Sequence, residues 1–210
     1  MTNIKTILFD FDGTLADTVN AGVAAFNQLA DRYGFVEITA DNAEMLRTKG
    51  PRAAMKALEV PMLRVPTVLR FLRNDLKATL PSINFTDGMR AVVLALKEKG
   101  YQLGIVTSNS EENVRAFLAN NQAEVFDFIQ AGTGLFNKSI KIKRLITREG
   151  LHKDEILFVG DETRDIEAAR KNGMMSVAVT WGLNSREGLA SAEPDYIVDT
   201  AAELVALLED

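Results

Sequence analysis

Side chains able to do chemistry follow three of the short apolar runs in this chain of 210 residues. They are two aspartates after the first run, a Thr-Ser-Asn triplet after the second and two more aspartates after a later one: Asp10, Asp12, Thr107, Ser108, Asn109, Asp161 and Asp165. Four carboxylates with hydroxyl groups and without histidine favour Mg²⁺ over Zn²⁺, because Mg²⁺ prefers carboxylate and water oxygens. The residue types therefore predict a site for magnesium and a phosphate group.

Asp10 and Asp12 are two residues apart, so in an extended chain their side chains project to the same side. Gly13 then lets the chain turn away sharply. Two carboxylates this close repel each other unless a cation lies between them or one of them is protonated. Such a pair suits one nucleophile and one acid/base. Taken alone, however, the pair is explained more simply by a turn in which an aspartate caps the next segment.

The apolar runs predict a parallel β-sheet that positions these residues. Runs rich in β-branched and aromatic residues, typical of strands covered on both faces, occupy residues 6–9, 103–106, 126–129, 156–159, 176–179 and 196–198. Helical patterns lie between them and end in basic residues followed by glycine, as at Gly100 and Gly173. This alternation predicts an α/β fold with a doubly wound, Rossmann-like parallel sheet. Ligands of such sheets bind beyond the carboxyl ends of the strands.

Residues 16–85 interrupt the alternation of strands and helices. One helical pattern stops near Gly34, residues 53–58 and 68–76 also have helical spacing, and no convincing strand is seen. We predict an all-helical cap domain at 16–85, inserted into an α/β core made of residues 1–15 and 86–210.

Composition narrows the functional class. The chain has no cysteine, which excludes thiolate nucleophiles, zinc–thiolate sites and disulfides. Its net charge of −5 argues against a nucleic-acid partner, since such proteins usually present a basic face. No segment approaches the roughly 20 apolar residues that span a bilayer, and no basic patch leads into an apolar signal stretch. We expect a cytoplasmic protein without a membrane partner, and the sequence leaves its oligomeric state open.

Four segments together resemble the haloacid dehalogenase superfamily. The string Asp-Phe-Asp-Gly-Thr at residues 10–14 resembles its first motif, residues 105–109 its second, and residues 159–165 its fourth, an acidic metal-binding loop. Lys138 resembles the basic residue of the third motif. The likeness covers essentially the whole chain in the right order. The helical insertion also lies between the first and second motifs, where members of this type carry a cap.

The resemblance implies a role for each acidic residue. Asp10 would attack phosphorus and form a transient aspartyl-phosphate, and Asp12 would protonate the leaving alcohol and then deprotonate the attacking water. Mg²⁺ would be held by the carboxylates of Asp10 and Asp161 and by the backbone carbonyl of Asp12. Asp165 is predicted at the same metal, where it acts directly or through water; the alternative is an early-helix acid favoured by the helix dipole.

The resemblance also implies a phosphate-binding set. The hydroxyl of Thr107 would hold a phosphoryl oxygen, and Lys138 would balance the charges of nucleophile and phosphate. Backbone amides near Phe11, Asp12 and Ser108 would cradle the remaining oxygens. Gly13 and Asn109 are assigned to the same phosphate-binding site. The third motif departs from its usual Lys-Pro, because Ser139 follows Lys138. Lys141 and a merely solvated helix face are therefore alternatives to Lys138.

The implied function is a magnesium-dependent phosphatase for a small phosphorylated metabolite, similar to phosphoglycolate phosphatases. Lys49 and Arg52 lie where such caps carry a specificity loop and are candidates to bind a carboxylate or second phosphate of the substrate, although solvated helix-end charges explain them equally well.

A dehalogenase is disfavoured by Asp12. A sugar phosphomutase, the first alternative, would have a cap histidine where this chain has Gly22. A non-catalytic binding module, the second, would have lost a carboxylate. Trp181 is predicted to pack a loop.

Overall fold

A computed structural model describes residues 3–49, 51–132 and 138–209 of the chain. Six strands within these ranges form one sheet in the order β3-β2-β1-β4-β5-β6, and all neighbouring strands are parallel. The strands are β1 Thr6–Phe9, β2 Gln102–Val106, β3 Phe128–Gln130, β4 Ile156–Gly160, β5 Met175–Val179 and β6 Tyr196–Val198. The direction of winding changes between β1 and β4, which is where ligands of doubly wound sheets bind. The predicted fold class is confirmed.

Helices cover both faces of the sheet because alternate strand residues point to opposite sides. They are α5 Met89–Glu98, α6 Glu111–Asn120, α7 Lys138–Glu149, α8 Thr163–Lys171, α9 Arg186–Ala190 and α10 Ala201–Glu209. In β1, Ile7 and Phe9 pack with α5, α6 and α10, whereas Leu8 packs with α7 and α8. Each central strand is thus buried on both sides, which explains its nearly continuous apolar sequence.

The predicted third strand is shifted by two residues at its start. Phe126 and Asp127 precede β3 instead of opening it. The Phe126 ring packs edge-on against Phe9, with 6.2 Å between ring centroids. The Asp127 carboxylate accepts a hydrogen bond from the N–H of Leu103 (2.8 Å). These side chains anchor the approach to the strand.

In its described residues the insertion after β1 contains four α-helices: α1 Val19–Tyr33, α2 Ala40–Arg47, α3 Pro51–Ala57 and α4 Val65–Thr79. They bury a small core of their own, which includes Phe26, Leu29, Leu46, Leu58 and Val68. The segment leaves and returns at neighbouring points, because Ala16 forms a β-bridge with Phe85 and the N–H of Thr86 donates to Leu15 O (2.8 Å). The predicted boundaries fall at this junction, while an independent cap domain at 16–85 stays a prediction.

Helix α2 was absent from the sequence prediction. It is short, with 8 residues, and Leu46 is its buried residue, so apolar periodicity gives little signal. A local signal existed in Thr39 and Asn42, since the N–H of Thr39 donates to the Asn42 side chain (2.9 Å) at the helix start. Within the described residues, no helix combines the length and apolar character needed to cross a membrane.

Candidate active site

The site is built at the carboxyl edge of three adjacent strands, β2, β1 and β4. Asp10 and Thr107 continue the sheet by one residue, since their N–H groups donate to Val159 O (2.8 Å) and Gln130 O (3.1 Å). Asp161 directly follows β4, and Asp165 lies in the first turn of α8. All four side chains are buried. Parallel strands therefore bring together residues that are about 150 positions apart in sequence.

Three buried carboxylates form an acidic cluster. Asp10, Asp161 and Asp165 each offer one oxygen, and these oxygens lie within 4.8 Å of one another. Burial raises the pKa of Asp161 well above its usual value, and the negative charges of Glu162 and Asp10 raise it further. Burial likewise raises the pKa of Asp165, and this outweighs the opposing effect of nearby Lys138. Full ionisation of these carboxyl groups would therefore leave negative charge that the neighbouring protein groups do not neutralise. Hard oxygen donors with unbalanced charge fit a Mg²⁺ ion.

Lys138 lies against this acidic cluster. Its Nζ is 2.8 Å from Asp10 Oδ1 and also forms an ion pair with Asp165. Burial alone would lower the pKa of Lys138, but the carboxylates of Asp10 and Asp165 outweigh it and raise the pKa. The side chain is therefore a buried ammonium group that compensates part of the charge of the cluster.

Lys141 is buried on the same face of α7 but has other partners. Its Nζ donates to Thr107 O (2.9 Å), just after β2, and to Gly132 O (2.6 Å), just after β3, so it holds the backbone that follows both strands. Neither lysine is the solvated charge that a lysine-rich helix allows. The structure brings Lys138, and not Lys141, into contact with Asp10. Residues 134–137, which precede Lys138 in the proposed third motif, lie outside the described residues.

Asp12 faces a different partner, the side chain of Asn109. Asn109 Nδ2 is 3.3 and 3.4 Å from the two carboxylate oxygens of Asp12, and Asn109 is itself held by Asn113 (2.8 Å). Burial first, and the charge of Asp10 second, raise the pKa of Asp12 to about 7. Asp12 can therefore be present in both protonation states near neutral pH. Asn109, which the sequence analysis assigns to phosphate binding, contacts the acid/base candidate Asp12. Its predicted contact with phosphate stays a prediction.

Two residues of the first motif pack directly on Asp161. The Oγ1 of Thr14 donates to Asp161 Oδ1 (2.7 Å). Gly13 has a φ of 81°, which favours glycine, and a Cβ there would lie 2.5 Å from Asp161 Oδ2. Gly160 has the same role beside Asp165, since its Cβ would lie 2.5 Å from Asp165 Oδ2. Thr14 had no assigned role in the sequence analysis, although it stands in the quoted motif.

The loop at residues 180–185, between β5 and α9, completes the surroundings of Asp161 and was missed from sequence. The N–H of Leu183 donates to Asp161 Oδ2 (2.7 Å). A Cβ on Gly182 would lie 2.2 Å from that oxygen. Trp181 packs in this loop as predicted, and its Nε1 donates to Thr14 O (3.1 Å). The sequence signal that could have indicated this loop is Gly182, which lies just after β5 at the ligand-binding edge of the sheet.

The other predicted residues have varied surroundings. The Phe11 ring is buried against Phe117, with 5.0 Å between centroids, so its backbone is the part available at the site. Ser108 is partly exposed beside Asn109. Lys49 and Arg52 lie on the helical insertion; Lys49 is half-buried, with its carbonyl 3.4 Å from Asn184 Nδ2, and Arg52 is exposed. Their predicted contact with substrate stays a prediction.

Known proteins share sequence and fold with this chain. A profile of the haloacid dehalogenase-like hydrolases matches residues 7–179. The chain belongs to this family. The phosphoglycolate phosphatase of Synechococcus elongatus is 34% identical over 203 residues, which cover 96% of each protein. Pyrophosphatase PpaX of Listeria monocytogenes is 26% identical over 216 residues, covering 99% of this chain and 97% of that protein.

A solved structure of the family has the same fold. The haloacid dehalogenase-like protein SP0104 from Streptococcus pneumoniae superposes with a TM-score of 0.81 at 23% identity, covering 99% of this chain and 100% of that one. At this identity the likeness supports the fold alone. Together, the matches confirm three predictions: the superfamily, the fold class and a phosphatase-type hydrolase.

The raised pKa values predict how metal and pH affect stability. The carboxyls of Asp12 and Asp161 hold protons more tightly in the folded than in the unfolded chain. The contribution of Asp12 to stability is fully present below about pH 4 and is lost as pH rises through about 7. The raised pKa of Asp161 changes stability in the same direction. We expect Tm of the metal-free protein to fall over this range. Mg²⁺ at 100 times its Kd should raise Tm by roughly 5–10 °C at pH 8 and much less at pH 5.

Differential scanning calorimetry with and without Mg²⁺ at both pH values measures this effect. Asp161→Asn is the control, because it removes one buried charge and should reduce the Mg²⁺ increment at pH 8. An equal increment at the two pH values would contradict competition between protons and metal at the cluster.

Proposed function

We propose that this protein is a magnesium-dependent phosphatase that hydrolyses a small phosphorylated metabolite through an aspartyl-phosphate on Asp10. The observation that carries the proposal is the position of Asp10. Its carboxylate is buried at the end of β1, paired with Lys138 (2.8 Å) and within 4.8 Å of two further carboxylates. Asp12, with a pKa of about 7, stands two residues away.

Asp10 is proposed as the nucleophile because its ion pair with Lys138 fixes the side chain in place. The ammonium group of Lys138 lies 2.8 Å from Asp10 Oδ1 and restricts the orientation of the carboxylate group. As an oxygen of Asp10 forms a bond to phosphorus, the bond from phosphorus to the leaving oxygen breaks. Lys138 then faces the negative charge of the phosphoryl group, which supports its assignment over Lys141.

Asp12 is proposed to transfer protons in both half-reactions. In its protonated form it gives a proton to the leaving alkoxide, and as a carboxylate it then accepts a proton from the water that cleaves the acyl-phosphate. A pKa of about 7 suits both tasks, since both forms are populated near neutral pH. The amide of Asn109 orients the carboxylate between these steps.

The carboxylates of Asp10, Asp161 and Asp165, with the backbone carbonyl of Asp12, would hold Mg²⁺. When bound, the ion neutralises negative charge that develops on the phosphoryl oxygens. Asp161 is oriented from two sides, by the Thr14 hydroxyl and the Leu183 N–H, as supporting hydrogen bonds orient metal ligands in general.

Thr107 is proposed to bind the transferred phosphoryl group. Its Oγ1 accepts a hydrogen bond from the N–H of Asn109 (2.9 Å), which leaves the hydroxyl proton available to a phosphoryl oxygen. Backbone N–H groups of Phe11, Asp12 and Ser108 would donate hydrogen bonds to the remaining phosphoryl oxygens.

The substrate proposed first is a small phosphorylated carboxylate, because the Synechococcus elongatus relative is named a phosphoglycolate phosphatase. Lys49 and Arg52 are proposed to meet its carboxylate. The second candidate is inorganic pyrophosphate, favoured by the Listeria relatives named pyrophosphatase PpaX. A mutase or a binding module remains less favoured, given Gly22 in α1 and the complete set of carboxylates.

Asp10→Asn tests the nucleophile. The amide has nearly the same shape but cannot attack phosphorus, so we expect turnover to fall to that of a blank while the circular dichroism spectrum and Tm show a folded protein. Asp17→Asn, at an exposed aspartate of the same connection, is the matched control and should keep its activity. A folded Asp10→Asn protein with near-normal turnover would falsify covalent catalysis by this residue.

Asp12→Asn tests the acid by comparing two leaving groups. Because kcat/KM reports the step up to transfer onto Asp10, loss of the acid should lower it by about 10²-fold or more for 2-phosphoglycolate. For 4-nitrophenyl phosphate, whose leaving group needs no proton, the loss should be much smaller. Equal losses for the two substrates would exclude Asp12 as the acid.

A pair of lysine variants tests the third motif. Lys138→Met removes the ammonium group beside Asp10 and should lower kcat/KM about 10²–10³-fold for every substrate. Lys141→Met removes the hydrogen bonds to Thr107 O and Gly132 O and should chiefly lower Tm. If the Lys141 variant loses more activity than the Lys138 variant when both are folded, the assignment is wrong.

A further inference from the structure

The helical insertion contacts the core through Arg47, the last residue of α2. Its guanidinium donates to three backbone carbonyls of the 180–185 loop: Nη2 to Thr180 O (2.8 Å) and Gly182 O (3.1 Å), and Nε to Leu183 O (3.4 Å). One side chain of the insertion thus binds almost the whole length of this loop. The planar guanidinium suits such a task, because it presents several N–H donors in a fixed geometry.

The core also binds the backbone of Arg47. Carbonyls at the end of a helix lack intrahelical partners, and Arg47 O accepts from the N–H of Ser185 (3.0 Å) and from Asn184 Nδ2 (3.0 Å). Gly188 in α9 permits this approach, since a Cβ there would lie 3.2 Å from Arg47 O. The contact is therefore reciprocal and closely fitted.

The same loop holds Asp161 from its other side. The carbonyl of Gly182, bound by Arg47, and the N–H of Leu183, bound to Asp161 Oδ2 (2.7 Å), belong to one peptide group. In a trans peptide these two groups point in opposite directions within one plane. Arg47 and Asp161 therefore bind opposite sides of a single rigid unit, and fixing one side orients the other.

Asn184 makes a second connection of the same kind. Its Nδ2 donates to Arg47 O, while its Oδ1 accepts from the N–H of Thr163 (3.0 Å), the first residue of α8. Its own N–H donates to the carbonyl of Asp161 (3.2 Å). Two independent sets of hydrogen bonds thus run from the end of α2 to the acidic loop after β4.

We infer that Arg47 is a positioning residue that couples the seating of the helical insertion to the metal site, by fixing the Gly182–Leu183 peptide and through it the carboxylate of Asp161. The inference rests on the proposed function in that Asp161 holds Mg²⁺. Without Arg47 the peptide is free to rotate and Asp161 loses a fixed hydrogen-bond donor. The acidic cluster then binds the cation less tightly, even before any substrate is present.

The single tryptophan of the chain reports on this loop directly. Trp181 lies between two carbonyls that Arg47 binds, and its indole N–H donates to Thr14 O. Its fluorescence can therefore be followed while the metal-free protein is titrated with Mg²⁺ in the absence of substrate. This readout does not depend on activity.

Mg²⁺ titrations of the wild type, Arg47→Met, Arg47→Lys and Arg70→Met test the inference. We expect about a tenfold increase in the Mg²⁺ midpoint for Arg47→Met, at the lower end of the effects seen for residues that orient metal ligands. The Mg²⁺ midpoint of Arg47→Lys should lie between those of the wild type and Arg47→Met, because one ammonium group replaces only part of the hydrogen-bond donors of the guanidinium. Arg70→Met, at an exposed arginine of α4, is the control and should match the wild type.

Two outcomes overturn the inference in different ways. An unchanged Mg²⁺ midpoint in folded Arg47→Met, together with a raised KM, would mean that Arg47 only holds the insertion in place. A wild type that neither hydrolyses phosphate esters nor responds to Mg²⁺ would contradict the proposed function itself. If Arg47→Met fails to fold by circular dichroism, the midpoint of Arg47→Lys decides by the same criterion.

Discussion

The structure depends on a concentration of buried negative charge at the carboxyl edge of the sheet. Asp10, Asp161 and Asp165 place oxygens within 4.8 Å of one another, in surroundings that favour neutral side chains. Lys138 is the ammonium group that contacts two of them. Such an arrangement is unfavourable unless protons or a cation complete it. A divalent cation would therefore both stabilise the cluster and supply the positive charge that phosphoryl transfer requires.

The surrounding packing keeps the acidic side chains from moving apart. Gly13 and Gly182 approach Asp161 so closely that neither could carry a Cβ in place, and Gly160 does the same for Asp165. Thr14 and Leu183 then donate hydrogen bonds to the Asp161 carboxylate. Close backbone approach and directed donors together fix the carboxylates, so the charge cannot relax by rotation into solvent. This rigidity is what a preorganised site requires.

Much of the fold was predictable because the strands are buried on both faces and so have continuous apolar sequences. Helix α2 escaped prediction because it buries mainly Leu46, and its start depends on the side chains of Thr39 and Asn42. The carboxylates were predictable from their places after strands. The 180–185 loop was not, because it contacts the Asp161 carboxylate through the backbone N–H of Leu183, a group that every residue except proline has. Lys138 and Lys141 share a helix face at a spacing of three, so only their contacts separate them.

The most direct test of the metal site is an anomalous diffraction measurement on crystals grown with Mn²⁺, which takes the same oxygen ligands as Mg²⁺. Data collected at the manganese absorption edge locate the ion without assumptions about activity. We expect one strong anomalous peak among the carboxylates of Asp10, Asp161 and Asp165. A fully ordered cluster with no peak, or with the ion bound elsewhere on the surface, would contradict a divalent-cation site at the end of β1.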